Sequence, residues 1–360
     1  MCGIAGLISL NRIRENGSRI KKAIVLQNER GNGLGAGYGV YGIYPGYENL
    51  YAIHIMASSE EAINQAAVFI RRWFKVQKQE PIPVWEKAIR DHPYFQRFFV
   101  ETPEAPALCS GGQNEDGYVL EKMMLMNKEV SGAYAFSSGK DMGVFKGVGT
   151  PQDIYDFFML DHYEGYSWLA HNRFPTNTPG WWGGAHPFNA LDWSIVHNGE
   201  ISSYGINRRY LEAQGYFCHL QTDSEVIAYL FDLLVRRHGL GILEATAALA
   251  PPYWATVERL EDSERQEQLR LLRIIYEPAM LNGPFAVLAA FSGGMFSLTD
   301  NTKLRPMTVA AQEGYTYFAS ELSALYEMQE NLQRVVTPRA GEPVVALYSK
   351  SAALRGGEGA

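Results

Sequence analysis

Residues 1–8 read MCGIAGLI: a cysteine directly behind the initiator methionine, then small and branched residues running into an apolar stretch. Residues 3–9 predict a short buried strand, with Cys2 at its start. Methionine followed by a small residue is a substrate for methionine removal, which would make Cys2 the first residue and give it a free α-amine beside its thiol. An α-amine, with an ordinary pKa of about 8, can act as base for its own side chain. One residue then supplies both nucleophile and base. From position alone the plainer reading of Cys2 is a small residue ahead of a strand, so its meaning depends on what the rest of the chain places opposite it.

The 360 residues fit either two domains or one large α/β-type domain, and they suffice for a substantial core. Hydrophobic residues at 46%, charged residues at 20% and a mean hydropathy of -0.19 exclude bulk disorder. A net charge of -7 argues against nucleic acid or an anionic membrane surface as the main partner. Cys2, Cys109 and Cys218 are too few and too scattered for a disulfide framework, which suggests a reducing compartment. Asn11, Arg12, Arg14 and Glu15 interrupt the first apolar run before it could form a secretory leader. No apolar stretch reaches the roughly 18 residues of a membrane span. The expectation is a cytoplasmic protein.

Outward from the first strand, residues 19–30 predict a helix stopped by the glycine-rich run GNGLGAGYGVYG, residues 31–42, which should turn into a strand. Residues 50–57 read as a strand, and Ser58 with Glu61 as a capping box opening a helix to residue 74. From 75 to 116 the pattern weakens among prolines, and an inserted, partly helical excursion that could serve for docking is expected. Strands are predicted at 133–137 and 142–146, followed by a helix start at Thr150, Pro151 and Asp153. Two more strands, 167–174 and 193–197, flank a loop rich in Gly, Trp and Pro. The clearest helix is TDSEVIAYLFDLLVRRHG, residues 222–239, with Thr222 and Glu225 as a capping box, Arg236 and Arg237 in its last turn and Gly239 at its end. Charged, periodic helices follow at 258–280, strands at 285–348 and a plain tail at 350–360. Strand pairs separated by helical blocks favour an α+β fold of two packed sheets flanked by helices over a doubly wound sheet.

Four stretches carry chemistry. HNRFPTNT, residues 171–178, puts Arg173 at a strand end, where its planar fork suits a carboxylate, with Thr176 and Thr178 as neutral donors; a surface arginine is the plain alternative. WWGGAHPF, residues 181–188, is a loop that could fold over a ligand or simply pack, and His186 in it reads most simply as a buried imidazole. IVHNGEI, residues 195–201, ends a β-branched run in Asn198-Gly199: an amide and a glycine N–H suited to an oxyanion, or a hairpin turn. TDSE, residues 222–225, puts Asp223 in a first helical turn, as a cap, as a partner for a cationic group, or both. His171, His186 and His197 match no standard metal spacing, so no metal is expected. GNGLGAG lacks the context of a dinucleotide fingerprint.

The order MCGIAG, RG…GAG, HNRFPTNT, AHPF, HNGEI and TDSE, continued by GPFAVLAAF, Asp300 with LRP at 304–306 and ASE at 319–321, resembles the class II glutamine amidotransferases, the N-terminal-nucleophile glutaminase family. The resemblance covers residues 2–349 and implies a four-layer αββα sandwich. It implies Cys2 as nucleophile, Asn198 and Gly199 as oxyanion hole, Arg173 with Thr176 on the glutamine α-carboxylate, Asp223 on the α-amine, His186 lining the pocket and Arg30 near the nucleophile at the substrate. Glutamine is zwitterionic at its α-carbon, so a site for it needs one cation and one anion at fixed separation.

Within the family, RFPTNT followed by a Trp-containing loop and HPF is most similar to the glutaminase part of glutamate synthase, including versions where it is a separate subunit. The corresponding subunit of N-methylglutamate synthase complexes is the close alternative. The resemblance therefore implies L-glutamine as substrate and ammonia delivered to a synthase subunit on another polypeptide. FMN and iron–sulfur centres would belong to that partner, since three scattered cysteines cannot hold a cluster. Two other readings are a catalytically quiet glutamine-sensing module and an acylase of the same nucleophile class, which would need an apolar acyl pocket in place of an Arg/Asp pair.

Overall fold

The computed structural model describes residues 2–103, 114–175 and 180–349. Its centre is the strand Gly3–Ser9, every residue of which is buried. It pairs antiparallel with Ser167–Asn172 on one side and Tyr315–Ala319 on the other. Ala36–Tyr41 and Met142–Gly147 extend this sheet beyond Ser167–Asn172, and Thr308–Gln312 and Val335–Val336 extend it beyond Tyr315–Ala319, to seven strands.

Two smaller antiparallel sheets lie opposite. One has five strands in the order Phe188–Ala190, Trp193–Gly199, Phe285–Phe291, Gly294–Thr299 and Val344–Leu347. The other has four, Lys75–Pro81, Tyr94–Glu101, Tyr51–Ala57 and Ala133–Ser137. The Ser138 N–H donating to Asn189 Oδ1 at 3.0 Å ties the two together, so they act as one layer. Strand alternation divides the core accordingly. Val196, Ala286 and Leu288 point between the layers, whereas Ile195, Phe285 and Val287 point outward under helices. The helices Ser18–Leu26, Pro151–Phe157 and Leu322–Met328 cover the large sheet. Glu60–Trp73, Glu115–Glu129 and Asp223–Phe231 cover the small ones. Helix, sheet, sheet, helix is the αββα arrangement expected from the sequence. Among the described residues, no helix is long and apolar enough to cross a membrane.

Three expectations need correction. Within 75–116, expected as a partly helical excursion, Lys75–Pro81 and Tyr94–Glu101 are paired strands, Lys75 opposite Glu101 and Pro81 opposite Gln96, built into the four-stranded sheet, while residues 104–113 lie outside the described residues. Pro81 ends a strand and Pro83 and Pro93 lie between the two strands, where a missing N–H costs no ladder bond. Ser59 rather than Ser58 caps Glu60–Trp73, its hydroxyl accepting from Ala62 N at 3.1 Å. Finally, Thr222 does accept from Glu225 N, but the Glu225 carboxylate turns to the N–H groups of His219 and Leu220 at 3.0 and 2.8 Å instead of closing the box.

Candidate active site

The N-terminus of the central strand is clamped from three sides. Ile4 exchanges hydrogen bonds with Ser320: its N–H donates to Oγ at 3.2 Å, and its carbonyl accepts from the Ser320 N–H at 3.0 Å. Gln27 Nε2 donates to the same carbonyl at 3.1 Å. Arg30 Nε donates to the Cys2 carbonyl at 3.0 Å while its NH1 pairs with Glu321 Oε1 at 2.7 Å. Arg30, expected at the substrate from the resemblance, is not among the residues lining the cavity at Cys2 and grips the Cys2 main chain. Ser320 and Glu321, part of the ASE stretch of the resemblance with no role assigned there, complete the clamp, Ser320 on Ile4 and Glu321 on Arg30.

Neighbouring strands bring the rest to the same end. Asn172 Nδ2 donates to the carbonyls of Gln27 and Asn28 at 2.9 and 3.2 Å. Gly31 lies so close that a Cβ there would sit 2.0 Å from Asn172 Oδ1, which explains the glycine in the RG pair. Arg173 follows and is buried. The next amide, Phe174 N–H, donates to Cys2 Sγ at 3.3 Å. Burial raises the Cys2 thiol above its ordinary pKa, and the Phe174 amide and the guanidinium groups of Arg173 and Arg30 only partly offset this. A thiol in that state needs a base.

Cys2, Arg173, His186, His197, Gly199 and Asp223 line one cavity of about 240 Å³. Asn198 is buried just behind it and its Nδ2 has no hydrogen-bond partner among the described residues. Asn198 and Gly199 do not form a hairpin turn. They pair with Ala286 and Phe285 in a continuing ladder, and Glu200 N–H goes on to donate to the Pro284 carbonyl at 3.1 Å. Gly199 has φ of 140°, and a Cβ there would lie 1.9 Å from the Pro284 carbonyl oxygen, so only glycine fits.

Asp223 accepts from Ile201 N–H at 3.0 Å through Oδ2. Burial works to raise its carboxyl, but His197, the Ile201 amide and the Ser224 hydroxyl outweigh it and hold the group below its ordinary value, so it stays ionised. Burial lowers Arg173, with Cys2 and Asp223 pulling the other way. The three histidines meet here. His171 and His186 stack with centroids 3.9 Å apart, and His186 Nε2 and His197 Nδ1 both reach Ser224 Oγ, at 2.9 and 3.2 Å. Thr176 lies outside the described residues. Asp300, also part of the resemblance, accepts from Phe285, Thr302 and Leu304 N–H groups and shapes a turn away from the cavity. One buried cation had no sequence signal: Lys146, 1% exposed, whose Nζ donates to Gly183 O at 3.0 Å beneath the loop that forms the cavity wall at Gly184.

The sequence model of the family described as glutamine amidotransferases class-II matches residues 35–341. An uncharacterized protein of Archaeoglobus fulgidus is 45% identical over 351 residues, 96% of this chain and 91% of that protein. The glutamine amidotransferase-like protein GlxB of Rhizobium meliloti is 27% identical over 208 residues, 57% of this chain and 58% of that protein. Among solved structures, the glutamine phosphoribosylpyrophosphate amidotransferase from B. subtilis superposes with a TM-score of 0.44 at 14% identity, over 97% of this chain and 50% of that one.

Proposed function

The chain belongs to the class II glutamine amidotransferases, and from that premise we propose that it hydrolyses L-glutamine to glutamate and ammonia through a thioester on Cys2. The observation that carries the reading is the shared cavity: the Cys2 sulfur opens onto the same space as the Arg173 guanidinium and the Asp223 carboxylate. That pair of opposite charges matches the α-carboxylate and α-ammonium of a free amino acid, and it is not the apolar pocket an acylase would need.

In this scheme removal of Met1 frees the α-amine of Cys2, which takes the thiol proton as the sulfur attacks the side-chain amide carbon. The oxygen that gains charge is received by Asn198 Nδ2 and the Gly199 N–H, donors fixed at the end of a paired strand before any charge develops. The tetrahedral adduct collapses by expelling ammonia, and water then releases glutamate from the thioester. Arg173 and Thr176 hold the carboxylate end and Asp223 the ammonium end, with His186 packing the wall. The ammonia goes on to a synthase subunit of glutamate synthase type, and FMN and iron–sulfur centres would be carried by that partner.

The test is glutamate release from glutamine by the processed protein beside its Cys2→Ala variant. Release by the first and none by the second is expected. No release by the processed protein, even with co-purified partner present, would overturn the hydrolytic reading in favour of a glutamine sensor.

A further inference from the structure

Ser224 occupies the third position of TDSE, and its side chain is 2% exposed at the floor of the cavity. Its hydroxyl touches three groups that line the same cavity: His186 Nε2 at 2.9 Å, His197 Nδ1 at 3.2 Å and Asp223 Oδ1 at 3.3 Å. A hydroxyl has one hydrogen to give and two lone pairs to fill. An ionised carboxylate can only accept, so the single hydrogen goes to Asp223 Oδ1. Both ring nitrogens must then be donors, His186 through Nε2 and His197 through Nδ1. The remaining contacts agree. The opposite ring nitrogens, His186 Nδ1 and His197 Nε2, are buried and meet no partner among the described residues. The third histidine obeys the same rule: His171 Nε2 can only donate where it meets the His197 carbonyl at 3.0 Å, and its Nδ1 is bare.

We propose that Ser224 is a positioning residue for the glutamine α-ammonium: its hydroxyl donates to Asp223 Oδ1 while accepting from His186 and His197, so that the carboxylate is held in place across the cavity from Arg173. The inference rests on the glutamine reading and deepens it. A zwitterion is recognised by one positive and one negative group, and Asp223 Oδ1 is left for the ammonium while His197 Nδ1, 3.7 Å from it, is engaged by Ser224 Oγ at 3.2 Å. Ile201 N–H holds the other oxygen, Oδ2. With Ser224 in place Asp223 is therefore oriented by neutral donors at both oxygens, keeps its full charge and cannot rotate away. Burial also presses His171, to about 3, and His186 toward the uncharged form.

The experiment is steady-state kinetics of the wild type, Ser224→Ala and Ser224→Thr with L-glutamine and with its desamino analogue 4-carbamoylbutanoate, which lacks the α-ammonium. In Ser224→Ala the KM for glutamine is expected to rise about 10- to 100-fold with kcat within about threefold, the loss of one hydrogen bond to a charged group together with its supporting contacts. For the desamino analogue kcat/KM should be nearly the same in wild type and variant, because the orientation of Asp223 then no longer matters. Ser224→Thr, which keeps the hydroxyl, should restore most of the affinity. An unchanged glutamine KM in Ser224→Ala, an equal penalty for both substrates, or a Thr variant as poor as the Ala variant would each overturn the assignment while leaving glutamine hydrolysis intact. A wild-type protein that neither hydrolyses nor binds glutamine would overturn both readings.

Discussion

Asn198 shows how much of this site depends on single atoms. Its Nδ2 is buried without a partner among the described residues, a costly arrangement unless something arrives to accept from it. A developing oxyanion is such an acceptor. Asn198→Ala should lower kcat for glutamate release by about 10²–10³ with little change in KM, since the interaction exists only once charge has moved onto oxygen. An equal rise in KM would instead mean that the amide binds ground-state glutamine. Cys2, Arg173 and Asp223 are singled out in the sequence by the resemblance, since taken one by one they read as a small residue before a strand, a surface arginine and a helix cap. Ser224 and Lys146 are not. One is hidden inside a motif where capping explains every letter, and the other is a lysine at the end of an ordinary strand.

At the scale of elements, Met142–Gly147 carries an unusual load. Lys146 is buried, packs its ammonium 4.6 Å from the Phe188 ring centroid and holds the Gly183 carbonyl. Burial pulls its pKa down to about 7, with Glu225 opposing and Arg173 reinforcing. Unfolded, the same group titrates at about 10.4, so over that interval the unfolded chain binds the extra proton and stability climbs with pH; the contribution is lost as pH falls through 7. Glu225, which burial pushes up to about 7, works in the opposite sense: its contribution is present below about 4.3 and lost as pH rises through 7. Urea unfolding at pH 7 and pH 9 should therefore show the wild type gaining stability over that interval and Lys146→Met gaining less. A slope unaltered by the substitution would place the titrating group elsewhere.

Elements also show where sequence reasoning stops. Strands such as Gly3–Ser9 and Phe285–Phe291, buried on both faces, stand out as continuous apolar runs. Lys75–Pro81 does not, because its residues are exposed or half-buried and its charged side chains mimic a solvated excursion. Glu115–Glu129 escapes for another reason. Gly117, Tyr118, Lys122 and Asn127 are all buried along it, so its apolar face carries no clean helical stripe.

For the molecule as a whole, the sandwich does one mechanical thing for the chemistry: it brings the ends of Gly3–Ser9, Ser167–Asn172 and Trp193–Gly199 together with the N-terminus of Asp223–Phe231 around one cavity. The αββα layering was legible because strand pairs and helical blocks alternate along the chain. The clamp of Arg30, Ser320 and Glu321 was not, because it joins residues some 290 positions apart, as in the 2.7 Å pair at |i−j| of 291. The central claim is that Cys2, freed by removal of Met1, is the nucleophile for glutamine. Its most direct test is peptide mass spectrometry of the processed protein after reaction with the glutamine analogue 6-diazo-5-oxo-L-norleucine. One adduct on an N-terminal Cys2, suppressed by excess glutamine, is the predicted result; modification of Cys109 or Cys218 instead, or an unlabelled Cys2, would contradict the claim.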